Sequence, residues 1–244
     1  YSVIFKNKLY LNTICDFSKN SLTIKKFQVI SKNINLDIFG RAGKISSKNP
    51  ILDLSVLINK SRIEDFISLL PAQNSKDIDI NLVALKKYGY YSDIEGQLSI
   101  KGKSDRPQIT GDILSSNGYV IKPLNIPKAT VKLKFLGEKM NMDITVPVAQ
   151  NENVTIKGPV NLYGDKSCDL NIKSTPNADL ETAESILNPV HEIFGFDLGP
   201  LPIMKLQGIG DITLRVKGTR QNPHLFGAFN FRNTTGSFNG INML

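Results

Sequence analysis

The sequence predicts a mainly β fold, an elongated antiparallel sheet with one apolar face. Apolar and polar residues alternate with a period of two along most of the 244 residues, the pattern of strands with one apolar face. Gly, Asn, Asp and Pro break these runs at short intervals, as antiparallel hairpins require. The organisation comes from an internal repeat: Gly102, Pro107 and Gly111 recur as Gly218, Pro223 and Gly227, each 116 residues later.

Along the chain, Ile34, Leu36 and Ile38 alternate with Asn35 and Asp37, and Leu52, Leu54, Val56 and Ile58 make the next one-faced run. The stretch "SRIEDFISLLP" then changes period. Ser61 and Glu64 are spaced as a capping box, Ile63, Phe66, Ile67 and Leu70 share a helical face, and Pro71 ends it, which predicts a short amphipathic helix near 61–70. Alternation resumes with Leu98 and Ile100 set against Gln97, Ser99 and Lys101. Ile109 and Ile113 continue it, followed by Val131, Leu133 and Phe135 against Lys132 and Lys134. Met140, Met142, Ile144, Val146 and Val148 form one long apolar stripe. A second amphipathic helix is expected near 178–195, capped by Asn177, with Leu180, Ala183 and Leu187 on one face and a break at Pro189. The last strands carry Ile212, Leu214 and Val216, then Leu225, Phe229 and Phe231.

The repeat extends beyond the glycines. "DLSVLI" at Asp53 matches "DLNIKS" at Asp169, again 116 residues on, and Asn117 matches Asn233 at the same spacing. Two tandem units follow, 1–122 and 123–244, each a β-groove repeat with one short helix. The chain opens on Tyr1 with no signal-peptide pattern and no membrane-length apolar run, and reads as a piece of a longer protein.

Composition narrows the function. Hydrophobic residues make up 41% and charged residues 21%, the balance of a folded chain, while two His, two Cys and no Trp leave little for acid, base or metal chemistry. His191 and His224 have no ligand partners at metal spacing, Cys15 and Cys168 stand apart, and no nucleophile elbow occurs. "QGIGD" at Gln207 precedes a strand rather than a helix, so it is no phosphate loop. No enzyme, cofactor or metal is expected. The carboxylates Glu64 and Asp65 are placed on a solvated helix surface. The net charge of +8 is spread through segments such as "TVKLKF", as lysines on solvated strand faces. "KKYGYYSD" is the only basic and aromatic cluster, and is taken as a loop whose tyrosines anchor at a sheet edge. Nucleic acid is not an expected partner.

The repeated phrase resembles the AsmA/TamB superfamily of diderm bacteria. Its first copy consists of Gly96, Leu98, Ile100, Gly102, Pro107, Ile109, Gly111, Ile113, Asn117 and Gly118; its second of Gly210, Ile212, Leu214, Gly218, Pro223, Leu225, Gly227, Phe229 and Gly236. The second departs from the pattern at "RNTTG", where a longer turn replaces Asn-Gly. "DLSVLINKSRIEDFISLLP" is similar to the strand-then-helix unit of such proteins, and the likeness covers most of 21–238.

The resemblance implies a long, curled antiparallel sheet forming a β-groove or trough with an apolar concave face, in a periplasmic protein anchored in the inner membrane by a segment outside this chain. It would conduct phospholipid to the outer membrane or assist outer-membrane assembly, with an outer-membrane protein as a further partner. Acyl chains would lie on the apolar face, lined by Leu98, Ile100, Ile109, Ile113, Val131, Leu133, Phe135, Met140, Met142, Ile144, Ile212, Leu214, Val216, Leu225, Phe229 and Phe231. A structural or adhesive β-repeat domain with an ordinary filled core is the alternative, and the residues alone leave both open.

Overall fold

The computed structural model describes residues 9–69, 90–120, 126–149, 152–179, 204–219, 221–238 and 241–243. Among them the strands are β1 (Tyr10–Ser18), β2 (Ser21–Ile30), β3 (Asn35–Gly43), β4 (Ile51–Arg62), β5 (Tyr90–Lys103), β6 (Gln108–Val120) and β7 (Ile126–Gly137). Then come β8 (Lys139–Ala149), β9 (Glu152–Asn161), β10 (Cys168–Ser174), β11 (Ala178–Asp179), β12 (Met204–Gly218), β13 (Pro223–Phe238) and β14 (Ile241–Met243). One helix, α1 (Ile63–Leu69), follows β4. The 14 strands form a single antiparallel sheet in chain order that does not close, with β11 alone off the path and paired to β12. The sheet crosses residue 122 without interruption, since β6 pairs with β7 from Ile109↔Gly137 to Val120↔Ile126.

The two rims of the sheet differ. On one side every described connection is short, and the hairpin loops are tied to one another. The Ile45 amide donates to the Asn20 carbonyl and the Ser104 amide to the Pro50 carbonyl. Asn49 donates to Asp105 at 2.9 Å, and Arg106 grips Glu138 through two bonds of 2.9 and 2.6 Å. The Leu162 amide then donates to the Glu138 carbonyl, and the Tyr163 hydroxyl to the Pro107 carbonyl at 2.7 Å. The Arg106 hydrogen bonds hold the Glu138 carboxyl below its ordinary range. The α1 side carries the long connections instead.

Inside the sheet, four glycines set the local geometry. Gly40, Gly111, Gly158 and Gly227 have φ of 134°, 126°, 150° and 148°, backbone that L side chains rarely adopt. A Cβ on them would strike the carbonyl oxygen of Asp53, Gln97, Asp169 and Thr213 respectively. In each case a leucine stands beside the glycine: Leu54, Leu98, Leu170 and Leu214. Gly111 therefore marks a close approach between strands rather than a bulge, since the β5–β6 register passes through it unbroken from Glu95↔Leu114 to Lys101↔Gln108.

Several expectations are corrected. The helix near 61–70 begins at Ile63 and has no capping box. Ser61 is the penultimate residue of β4, and its hydroxyl accepts from the Asn35 amide at 2.9 Å and donates to the Asn59 carbonyl at 2.7 Å. Glu64 is not simply solvated: it accepts from the Ser92 amide at 3.4 Å and pairs with Arg62 at 3.0 Å, tying α1 to β5. The helix near 178–195 does not start as predicted. Asn177 takes φ 66° and accepts from Arg232, and Ala178 and Asp179 pair with β12; the rest of that segment lies outside the described residues. Asn117-Gly118 is no turn either. Asn117, at φ 54°, sits within β6 where the register with β7 shifts between Ser115 and Gly118. "RNTTG" likewise lies within β13, opposite a register shift between Gln207 and Ile209 of β12.

Replacing Gly111 or Gly158 with alanine should cost about 3 kcal/mol, because backbone strain adds to a collision with a neighbouring carbonyl. Gly164→Ala is the control: its φ is 70° with open space around it, so the loss should be about 1 kcal/mol. Urea unfolding checks both, and equal losses at all three positions would refute the close-approach account.

Candidate functional site: the apolar face of the sheet

The register brings the alternating apolar residues of successive strands onto one face. Leu36 and Ile38 of β3 face Ile58 and Val56 of β4, and Val56 and Leu54 face Leu98 and Ile100 of β5. Ile100 faces Ile109 and Gly96 faces Ile113. Ile113 faces Leu133 and Gly111 faces Phe135. Val131, Leu133 and Phe135 face Ile144, Met142 and Met140. Ile144 continues to Ile156 and then Ile172, Ile172 to Leu214 and Leu170 to Val216. Val216 faces Leu225, Ile212 faces Phe229 and Gly210 faces Phe231. All sixteen residues singled out in the sequence thus share one face.

Their environments differ along it. Met142, Ile212, Leu214 and Val216 belong to a dry cluster with Ala129, Val146, Val154, Ile156, Cys168, Leu170 and Ile172. Val154 and Ile156 are each 1% exposed. In this cluster the side chains of five strands pack against one another on the one face. β11 helps to form it, reaching β8 and β9 while bonded to β12. Leu133, Met140 and Ile144 pack on the margin of that cluster. Leu98, Ile100, Ile109, Ile113, Val131 and Phe135 are half-buried, and Leu225 and Phe231 are exposed. The same half-buried state runs back through Leu54, Val56, Ile58, Leu36 and Ile38. At the β1 edge, Leu11 is 62% and Phe17 77% exposed.

Polar atoms on this face are satisfied locally. The Ser92 and Ser115 hydroxyls lie 2.6 Å apart, and Ser92 also donates to the Ser116 carbonyl at 2.8 Å. The opposite face carries charge in cross-strand pairs. Asp169 binds Arg215 through two 2.6 Å hydrogen bonds, Asp143 pairs with Lys157 at 3.0 Å and Asp53 with Lys101 at 3.7 Å. The bonds from Arg215 hold the Asp169 carboxyl below its usual range.

The sixteen residues omit β2, β3, β4, β9 and β10, although the residues facing inward there are of the same kind. Period-two alternation marks all of them in the sequence. His224 is exposed in β13 with its ring 6.2 Å from that of Phe226, and His191 lies outside the described residues, as do Lys86 to Gly89 of the tyrosine cluster; Tyr90 and Tyr91 open β5. Among the described residues, no three His, Cys, Asp or Glu side chains converge.

Cys15 and Cys168 are free thiols on β1 and β10. Burial pushes the Cys168 thiol from its ordinary 9.0 up to about 11, and the thiol points toward the Val216 carbonyl at 3.8 Å. No family model, curated protein or solved structure matches the chain.

A water-soluble thiol reagent at pH 8 should therefore modify Cys15 promptly and Cys168 only on unfolding, read by mass spectrometry of tryptic peptides. Between pH 9.0 and about 11 the thiol ionises in the unfolded chain before it does so in the folded one, so stability should fall across that window and Cys168→Ala should lessen the fall. Equal labelling of both thiols in the folded protein would contradict the dry cluster.

Proposed function

We propose that this chain is a non-enzymatic, lipid-holding segment of a cell-envelope protein, whose apolar face takes phospholipid acyl chains. The supporting observation is the cross-strand register, which carries an apolar surface over β2 to β13 while much of it stays half-buried. Large contiguous apolar surfaces are rare on soluble monomers unless they serve binding. Burial of each methylene contributes about 0.8 kcal/mol, so a greasy lining holds an acyl chain without a polar pocket. The phrase shared with AsmA/TamB proteins supports the same assignment. In that setting the whole protein is periplasmic, anchored in the inner membrane through a segment outside this chain, and works in lipid transport or outer-membrane assembly.

The wall is built from two tandem units. Asp53 and Asp169, Gln97 and Thr213, and Gly111 and Gly227 are each 116 residues apart. These are the carbonyls and a glycine pair of the close approaches described above. The β3–β4 and β5–β6 hairpins of the first unit therefore correspond to β9–β10 and β12–β13 of the second. A short helix at 63–69 and the segment after Asp179 occupy equivalent places.

Protein purified from bacterial membranes should carry phospholipid detectable by mass spectrometry. Val56→Lys together with Leu98→Lys, at half-buried positions, should cut the co-purified lipid about tenfold while a cooperative unfolding transition is kept. A compact wild-type protein free of lipid would instead favour the structural or adhesive domain with a filled core, to which the dry β7–β12 cluster lends itself.

A further inference from the structure

The apolar face and the charged rim vary together along the sheet. Over β2 to β6 the face is half-buried at Leu54, Val56, Leu98 and Ile100, whereas over β8 to β12 it is closed into the dry cluster. The short-loop rim of the first half is basic. Lys19, Lys44, Lys48 and Lys103 are exposed there, and among the described residues Asp105 is the carboxylate at this rim that pairs with no cation, since Asp16, Asp53 and Glu138 pair with Lys25, Lys101 and Arg106. On the α1 side of the same strands, Lys32, Lys60 and Arg62 are balanced among the described residues by Glu64, Asp65 and Asp93. The positive charge thus lies along one side of the open surface.

We infer that the ligand site is confined to β2–β6 and takes an amphiphile with an anionic headgroup, its chain running inward along the half-buried strands and its headgroup at Lys44, Lys48 and Lys103. The inference rests on the lipid-groove proposal and adds to it a place, an orientation and a charge. Dimensions agree: the 12 residues of β4 extend about 40 Å from the lysine rim, ample for the roughly 15 Å of one leaflet of a bilayer core. The closed half, with Ile156, Leu170 and Leu214 already packed against one another, has no face left for a chain. Charge adds to the greasy surface because a lysine beside an anionic headgroup attracts it.

The test uses oleate and its neutral counterpart 1-oleoylglycerol, both below micelle concentration, competing for the site against a fluorescent fatty acyl probe. The wild-type chain should prefer oleate by about tenfold at ~0.01 M salt, and the preference should shrink at ~0.15 M, where screening is stronger. Lys44→Glu, Lys48→Glu and Lys103→Glu combined should abolish the preference while leaving 1-oleoylglycerol binding unchanged. Lys139→Glu, Lys173→Glu and Lys217→Glu combined, on the closed half, should leave it intact. All six are exposed, and unfolding curves verify that each triple variant folds. Equal wild-type affinity for the two ligands, or a preference that survives in the first triple variant, overturns the headgroup assignment. Loss of preference in the second triple variant overturns the confinement to β2–β6. Binding of neither ligand overturns the lipid-groove proposal itself.

Discussion

The rest of the structure depends on the close approach of neighbouring strands at glycines with positive φ. At Gly40, Gly111, Gly158 and Gly227 the missing side chain leaves the partner's carbonyl oxygen and a leucine in the space a Cβ would take. At Gly227 the Leu214 Cδ2 lies 2.9 Å from that position. Each site removes a side chain from the inner face and brings the neighbouring strand's backbone into its place. A side chain there would push the two strands apart, so each contact holds its hairpin tightly closed.

A second consequence concerns how charge is arranged. Once one face is committed to apolar residues, the period of two sends every intervening residue outward, and there the carboxylates and cations meet across strands. Asp53–Lys101, Asp143–Lys157 and Asp169–Arg215 repeat one motif at different points of the wall. These pairs are exposed and add little stability individually. They oppose slippage, however, because a shift by one residue would carry charge to the greasy face.

Much of this was legible in the sequence. Period-two alternation identified Leu98, Ile100, Leu133, Met142, Leu214 and their neighbours as one face, since that signal is local and needs no tertiary information. What failed was anything decided by partners distant in sequence. Ser61 looked like a helix cap, but Asn35 of a different strand claims its hydroxyl. Asn117-Gly118 looked like a turn, although the pairing with β7 keeps the chain extended through a bulge. Which part of the face is dry could not be read at all. Leu98 and Leu214 lie 116 residues apart and each stands beside a positive-φ glycine, yet one is half-buried and the other belongs to the dry cluster. Burial there is a tertiary property of the whole sheet, which no single strand encodes.

The chain-order topology bears on how the molecule forms. With β1 to β9 each paired to its immediate successor, most hairpins close between residues near in sequence, so little loop entropy is lost at those steps. Folding can start at any well-made hairpin and spread outward strand by strand, as in repeat arrays. The β5–β6 and β12–β13 hairpins, with their tight loops and glycine-leucine locks, are natural starting points. Such a sheet could be laid down in order as it emerges from the ribosome, each new strand finding its template already in place.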